Sequence, residues 1–166
     1  MKRLLFPPAV SIVLICAVNC NSPKSDSGKH VDIESVYKQN LKDSTLATGW
    51  YYILENETGF KRQLYQTEKF YFIDPEPILV KEHFQKVKIV PDFHQERYYI
   101  AISTYKKYYN RWAEATEKSI GKQLGFIIDD QLINAPMINL KIETGQSTIS
   151  GYDRKELEVF KKRIEE

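Results

Sequence analysis

Between Gly121 and Gly151 the chain alternates apolar runs with turn formers, and that order admits few folds. The apolar run Leu124 to Ile128 reaches a polar turn at Asp129-Asp130-Gln131. A second apolar run follows and is stopped by Ala135-Pro136. Two apolar runs around a short polar turn predict a β-hairpin, here without the glycine favoured in the tightest turns. Gly145 and Gly151 then flank a further strand. Asp153 is placed to cap a closing helix, with Leu157, Phe160 and Ile164 on one stripe.

Upstream, Trp50 to Glu55 reads as a strand by its aromatic and β-branched content. Glu57-Thr58-Gly59 turns the chain into Phe60 to Tyr65, and Lys69 to Asp74 forms another strand. Asp74-Pro75-Glu76-Pro77 is expected to break it, because proline cannot donate to a ladder. Val80 to Val87 reads as a short helix, Val90 to Glu96 as a loop, and Arg97 to Ile102 as a strand. A helix capped by Ser103 or Thr104 is expected next, with Tyr105, Tyr108, Tyr109, Trp112 and Thr116 on one face. Gly121 stands where its left-handed end would fall. Strands and helices mix without βαβ repetition, which predicts an α+β fold with a mainly antiparallel sheet and two main helices.

The order of these residues resembles the head part of the first periplasmic domain of SecD, a subunit of the bacterial export machinery. In that family a Gly-Lys, a strand ending in Asp-Gly, an Ala-Pro pair, a Gly-Gly turn and an Ile-Ser/Thr-Gly precede a closing helix. Gly121-Lys122, Asp129-Asp130, Ala135-Pro136, Thr144-Gly145 and Ile149-Ser150-Gly151 occupy those places here. The segment Tyr71 to Leu79, with its Pro-Glu-Pro-Ile-Leu, and the unit from Tyr99 to Lys122 extend the likeness upstream. Two positions depart from the pattern: Gln146 replaces the second Gly of the Gly-Gly turn, and Asp130 the Gly of Asp-Gly. The resemblance implies a SecD-head-like domain over residues 48–166, a place in the bacterial envelope, and a link to protein export. In SecD-type proteins transmembrane helices couple proton flow to movement of the head, so a head alone implies passive capture or assistance.

The start of the chain predicts its address. Lys2 and Arg3 precede an apolar stretch, Leu4 to Val18, shorter than the ~20 residues a membrane-spanning helix needs. Ala17-Val18-Asn19-Cys20 and the polar stretch after it resemble a bacterial lipoprotein signal. On that reading residues 1–19 are removed, Cys20 carries the lipid, and residues 20–47 are a polar tether with a short helix at Ile33 to Leu41. In family terms Asn21 then favours the outer membrane, with the domain facing the periplasm. An ordinary cleaved signal, leaving Cys20 as a free thiol, is the other reading. Both cysteines, Cys16 and Cys20, lie in this region, so the domain has no disulfide framework and no thiolate metal site. Lys2 and Arg3 leave with the signal, which balances the 24 basic residues of the whole chain against its 22 acidic ones. Nothing in that balance gives the basic footprint of a nucleic-acid binder.

Two Trp, 11 Tyr and 8 Phe raise the question of a binding surface. In Trp50-Tyr51-Tyr52 and Tyr98-Tyr99 alternate rings point to opposite faces, so one ring of each run faces away from any single core. Tyr52 and Tyr99 are thereby candidate contacts for an extended polypeptide added as a strand. The competing reading is that both faces are covered and the rings simply pack. Catalytic patterns are poor: His30, His83 and His94 show no metal-ligand spacing, no GxSxG surrounds a serine, and no phosphate loop is present. Asp129 and Asp130 form a carboxylate pair, but Asp favours turns for structural reasons. The sequence therefore predicts no catalytic site, no cofactor and no metal. Its expected partner is exported or unfolded polypeptide or, in the alternative, one folded envelope protein blocked by an immunity or inhibitor lipoprotein.

Overall fold

The computed structural model describes residues 45–92 and 97–166. The expected leader, Cys20, the helix expected over Ile33 to Leu41, His30 and His94 lie outside the described residues. The described elements run β1 (Gly49–Leu54), β2 (Phe60–Gln63), β3 (Phe70–Val80), β4 (Phe84–Asp92), β5 (Arg97–Thr104), α1 (Tyr109–Lys118), β6 (Leu124–Ile128), β7 (Gln131–Asn134), β8 (Gln146–Ile149) and α2 (Arg154–Glu165). They form an α+β fold with two antiparallel sheets: a five-stranded one in the order β2-β3-β1-β6-β7 and a three-stranded one in the order β4-β5-β8.

The hairpin is the clearest product of local sequence. Asp129 and Asp130 both adopt positive φ, 46° and 68°, as the two central residues of a type I′ turn require. Gln131 already belongs to β7, so the turn is one residue tighter than the sequence suggests. Aspartate tolerates this region because its short polar side chain bonds locally. Here the turn is held from outside as well. The Asp129 carboxylate accepts from Arg163 Nε at 2.9 Å, and that of Asp130 from Arg62 Nε at 2.9 Å and from the Leu46 N–H at 2.8 Å.

The five-stranded sheet closes on itself. Just beyond β2, Leu64 forms a parallel bridge to Leu132 of β7, and the Tyr65 N–H donates to the Leu132 carbonyl at 2.8 Å. The concave face holds its own small core of Leu46, Tyr51, Phe60, Ile73, Ile127 and Leu132. Leu46, just ahead of β1, is 4% exposed and packs within this core. The opposite face contributes Trp50, Leu79, Leu124, Phe126 and Ile128 to the main core. Trp112 of α1, Leu157, Phe160 and Ile164 of α2, and Ile100, Ile102 and Ile149 of the second sheet complete it. β8 is bonded across this core to both tryptophans: Trp50 Nε1 donates to Ser147 Oγ at 3.0 Å and Trp112 Nε1 to the Gln146 carbonyl at 2.9 Å.

Four expectations fail for tertiary reasons. β3 does not stop at Asp74 but runs through Pro75 and Pro77 to Val80. β2 pairs with it only as far as Ile73, so beyond that point β3 is an edge and its missing donors cost nothing. The ladder to β1 slips at this place, Tyr51 facing Pro77 and Ile53 facing Ile73, and Asp74 Oδ1 receives the Glu76 N–H at 2.9 Å. The helix expected over Val80 to Val87 is one 3₁₀ turn, Lys81–His83, followed by strand β4. β4 carries on through Val90-Pro91 to Asp92, where a loop was expected. Its period-2 alternation, Lys86-Val87-Lys88-Ile89, is realised by pairing with β5. Thr104 does not cap the helix. It ends β5, and its N–H and hydroxyl both donate to the Gly145 carbonyl, at 3.0 and 3.2 Å. α1 consequently starts at Tyr109, after a 3₁₀ turn at Lys106–Tyr108. α2 forms as its sequence predicts, with a capping box in which Glu156 N–H donates to Asp153 Oδ1 at 2.8 Å and Asp153 N–H to Glu156 Oε2 at 3.0 Å.

Candidate functional site

The two candidate tyrosines sit on different sheets and beside different cavities. Tyr52 lies on β1, half-buried, with its ring side turned toward α1. It lines a cavity of about 240 Å³ together with Asp74, Glu76, Pro77, Arg111 and Glu114. The β3 bulge forms one wall and α1 the other, and Arg111 Nη2 donates to the Pro77 carbonyl at 2.8 Å. Burial raises the Tyr52 hydroxyl pKa; Arg111 opposes this, and Asp74 and Glu114 add to it. The hydroxyl therefore stays protonated at neutral pH and can donate a hydrogen bond. Tyr99 lies on β5, facing out of the three-stranded sheet at a cavity of about 330 Å³ that also involves Arg97, Tyr98 and Thr148. Its partner on β4 is Val90. Tyr98 points inward and receives the Arg154 guanidinium over its ring at 5.0 Å. Period-2 alternation is thus realised in both runs, but one continuous aromatic face is not: the inward ring of Trp50-Tyr51-Tyr52 fills the small core of the curled sheet.

The residues of the Gly121–Gly151 motif serve the backbone. Gly121 has φ 77° and Gly151 φ 95°. Lys122 pairs with Glu55 at 2.8 Å, and this ammonium lowers the Glu55 pKa. Ala135 accepts from Gln123 Nε2 at 2.6 Å, and Pro136 accepts the Leu124 N–H at 3.2 Å. Gly145 has φ 64°, and a Cβ there would stand 2.3 Å from the Tyr109 ring. The Asp129 carboxylate accepts from Arg163 and the Thr48 hydroxyl, and the Asp130 carboxylate from Arg62 and the Leu46 N–H. Among the described residues no group of three or more His, Cys, Asp or Glu is placed to hold a metal, and no buried side-chain polar atom lacks a partner. His83 is engaged as well: its Nδ1 accepts the Val80 N–H at 3.2 Å and its ring stacks on Tyr108 with centroids 4.0 Å apart. Burial lowers its pKa, with the Arg111 charge next in effect.

Sequence reasoning missed the edge of the second sheet. With β4 read as part helix and part loop, Lys86 and Lys88 had no common face. In the structure they stand side by side and exposed on β4, and their mutual contact lowers the Lys88 pKa. The period-2 alternation from Lys86 to Ile89 was the signal that could have found it.

The family model described as SecDF, P1 head subdomain, matches residues 57–157, well over half of the chain. The chain belongs to this family. Two solved structures bear the head fold out. A structure of SecDF in a super-membrane-facing form aligns with a TM-score of 0.58 at 16% identity, over 80% of this chain and 20% of that one. A structure described as a membrane component SecDF that enhances protein export aligns with a TM-score of 0.57 at 18% identity, over 79% of this chain and 66% of that one. The chain thus corresponds to a fifth of the first protein and about two-thirds of the second. At such identities the likeness establishes the fold alone. No match was found among curated proteins. Among the described residues of the head domain no helix is long and apolar enough to cross a membrane.

Proposed function

We propose that this head domain binds exported, still-extended polypeptide in the bacterial envelope and assists export passively, without catalysis. Membership of the P1 head family over residues 57–157 is the observation that carries this reading. A relative of the same fold is described as enhancing protein export, which gives the reading its substrate class. The proposed anchor is a lipid on Cys20, holding the domain at the outer membrane and facing the periplasm. The chemistry required is modest. Extended peptide offers backbone donors and acceptors to a sheet edge and side chains to the cavities beside it. Tyr52 and Tyr99 are suited to such contacts, since each couples an apolar ring to a polar tip in a half-open cavity.

The test is site-specific photo-crosslinking in the full chain, with the crosslinker replacing Tyr52 or Tyr99 in turn. Adducts with many unrelated exported proteins are expected. A single stoichiometric partner at either site would instead establish the dedicated inhibitor or immunity role. The anchor is tested separately: Cys20→Ser should release the protein from membranes, and retention would refute lipidation there.

A further inference from the structure

β4 is an edge strand, hydrogen-bonded to β5 on one side and to no other strand among the described residues. Such an edge presents a row of unpaired backbone donors and acceptors. Its two faces differ. Val87 and Ile89 turn inward and pack against the main core, while Lys86 and Lys88 turn outward and are exposed. Across the sheet Lys86 faces Ser103 and Lys88 faces Ala101 on β5, and beyond these stand Gln146 and Thr148 on β8. Among the described residues the two lysines therefore face no carboxylate across β5 and β8. Their ammonium groups crowd each other, a local positive charge that an incoming anion would relieve.

A cavity of about 450 Å³ opens beside the first half of the strand, where Phe84, Val87 and Ile164 offer apolar surface. Lys81, Glu82, Lys86, Glu165 and Glu166 share its wall, with Glu165 paired to Lys161 at 2.5 Å and Glu166 to Lys162 at 3.4 Å. An added strand would thus find the apolar surface of Phe84, Val87 and Ile164 on its inward side and two positive charges on its outward side. Pro91 has no N–H to offer, which confines pairing to the segment from Phe84 to Val90. A second copy of β4 fits poorly. Antiparallel self-pairing about Val87 would set Lys86 against Lys88 of the copy, and like charges directly opposite repel.

Resting on the polypeptide-binding reading above, we infer that the free edge of β4 receives an extended segment with carboxylates at every second position and apolar residues between them. That segment becomes a fourth strand of the β4-β5-β8 sheet, its acidic face over Lys86 and Lys88 and its apolar face toward Val87 and the cavity. Opposite charges in cross-strand positions favour this register over its one-residue slip, which would turn the carboxylates inward.

The experiment is fluorescence anisotropy of the full chain with a labelled, end-blocked heptapeptide of alternating Glu and Val. Binding that weakens with added salt is expected. The Lys86→Glu/Lys88→Glu variant should bind roughly tenfold or more weakly and gain affinity for the heptapeptide of alternating Lys and Val. Both lysines are exposed, so the variant should keep the far-ultraviolet circular dichroism of the parent. N-methylation of the peptide amides that face β4 should abolish binding, whereas methylation of the opposite set should not. Equal affinity of parent and variant overturns the proposal, and so does indifference to N-methylation. Lysine-dependent binding of phosphatidylglycerol vesicles in place of the peptide would overturn it too. Polypeptide crosslinks that persist at Tyr52 or Tyr99 while the β4 variants change nothing would leave export binding standing and remove only this site. Failure of every peptide, together with absent crosslinks, removes both.

Discussion

Replacing Gly145 with alanine brings two separable penalties to one carbon. The first is conformational: at φ 64° an alanine pays about 1–2 kcal/mol for the left-handed region. The second is steric. The new Cβ would lie 2.3 and 2.4 Å from the Tyr109 ring carbons and 2.6 Å from Thr104 Oγ1, so ring and hydroxyl must both yield. Overpacking of this kind costs about 1–3 kcal/mol. Gly121 supplies the control, since at φ 77° its added Cβ meets nothing within 4 Å and only the conformational penalty applies. Gly145→Ala should therefore lose roughly 3 kcal/mol and about 12 °C in Tm, against roughly 1.5 kcal/mol and about 6 °C for Gly121→Ala. Urea titration and thermal circular dichroism on both variants measure this, with the m-value serving as check on two-state behaviour. Combining Gly145→Ala with Tyr109→Ala should cost less than the two singles added, because the ring that clashes is gone. Equal losses at Gly145 and Gly121, or strict additivity with Tyr109→Ala, would refute the close approach as the reason for glycine here.

Ser147→Ala leaves the buried Trp50 indole N–H without its acceptor and should cost about 1–3 kcal/mol in urea unfolding; a loss below about half a kcal/mol would count against that bond. Tyr51 is 1% exposed, and burial pushes its hydroxyl up to about 12. Because the folded pKa exceeds the unfolded value of about 10, its contribution is complete below pH 10 and is lost as pH rises toward 12, on the order of 2 kcal/mol. Tyr51→Phe should flatten that alkaline limb, and an unchanged slope would exclude Tyr51 as its source. His83 has the opposite sign. Its folded pKa is lowered, so its contribution is complete above pH 6.5 and is lost as pH falls, when the protonated ring can no longer accept the Val80 N–H. His83→Asn should reduce the loss of stability below pH 6.5, measured by thermal melts across that range.

The curled sheet explains why the two aspartates of the hairpin turn are structural. Asp130 joins three separate segments, through Arg62 of β2, the Leu46 amide and its own turn, while Asp129 is held by Arg163 of α2. Their proximity in sequence invites a catalytic reading. Their partners, all distant in sequence, give each carboxylate a mechanical use. The candidate surfaces show the same dependence on distant partners. Alternation set Tyr52 on the opposite face from Tyr51 and Tyr99 on the opposite face from Tyr98, but the elements covering each strand decide whether a ring meets solvent, a cavity or a core.

The sequence by itself determined the elements whose signals are local. These are the Leu124–Asn134 hairpin, the Asp153 capping box with its Leu157, Phe160 and Ile164 stripe, the positive-φ glycines around β8, and hence the antiparallel α+β class. Each depends on interactions spanning a few residues, which composition and spacing encode directly. The tertiary structure decided whether Pro75 and Pro77 end a strand, whether Lys81 to Val87 coils or extends, and whether Thr104 caps a helix or closes a ladder. In each case the competing local preferences are nearly balanced, and a long-range partner tips them: the early end of β2, the alignment with β5, and the carbonyl of Gly145. The division into two sheets, and with it the free edge of β4, exists only once those partners are in place.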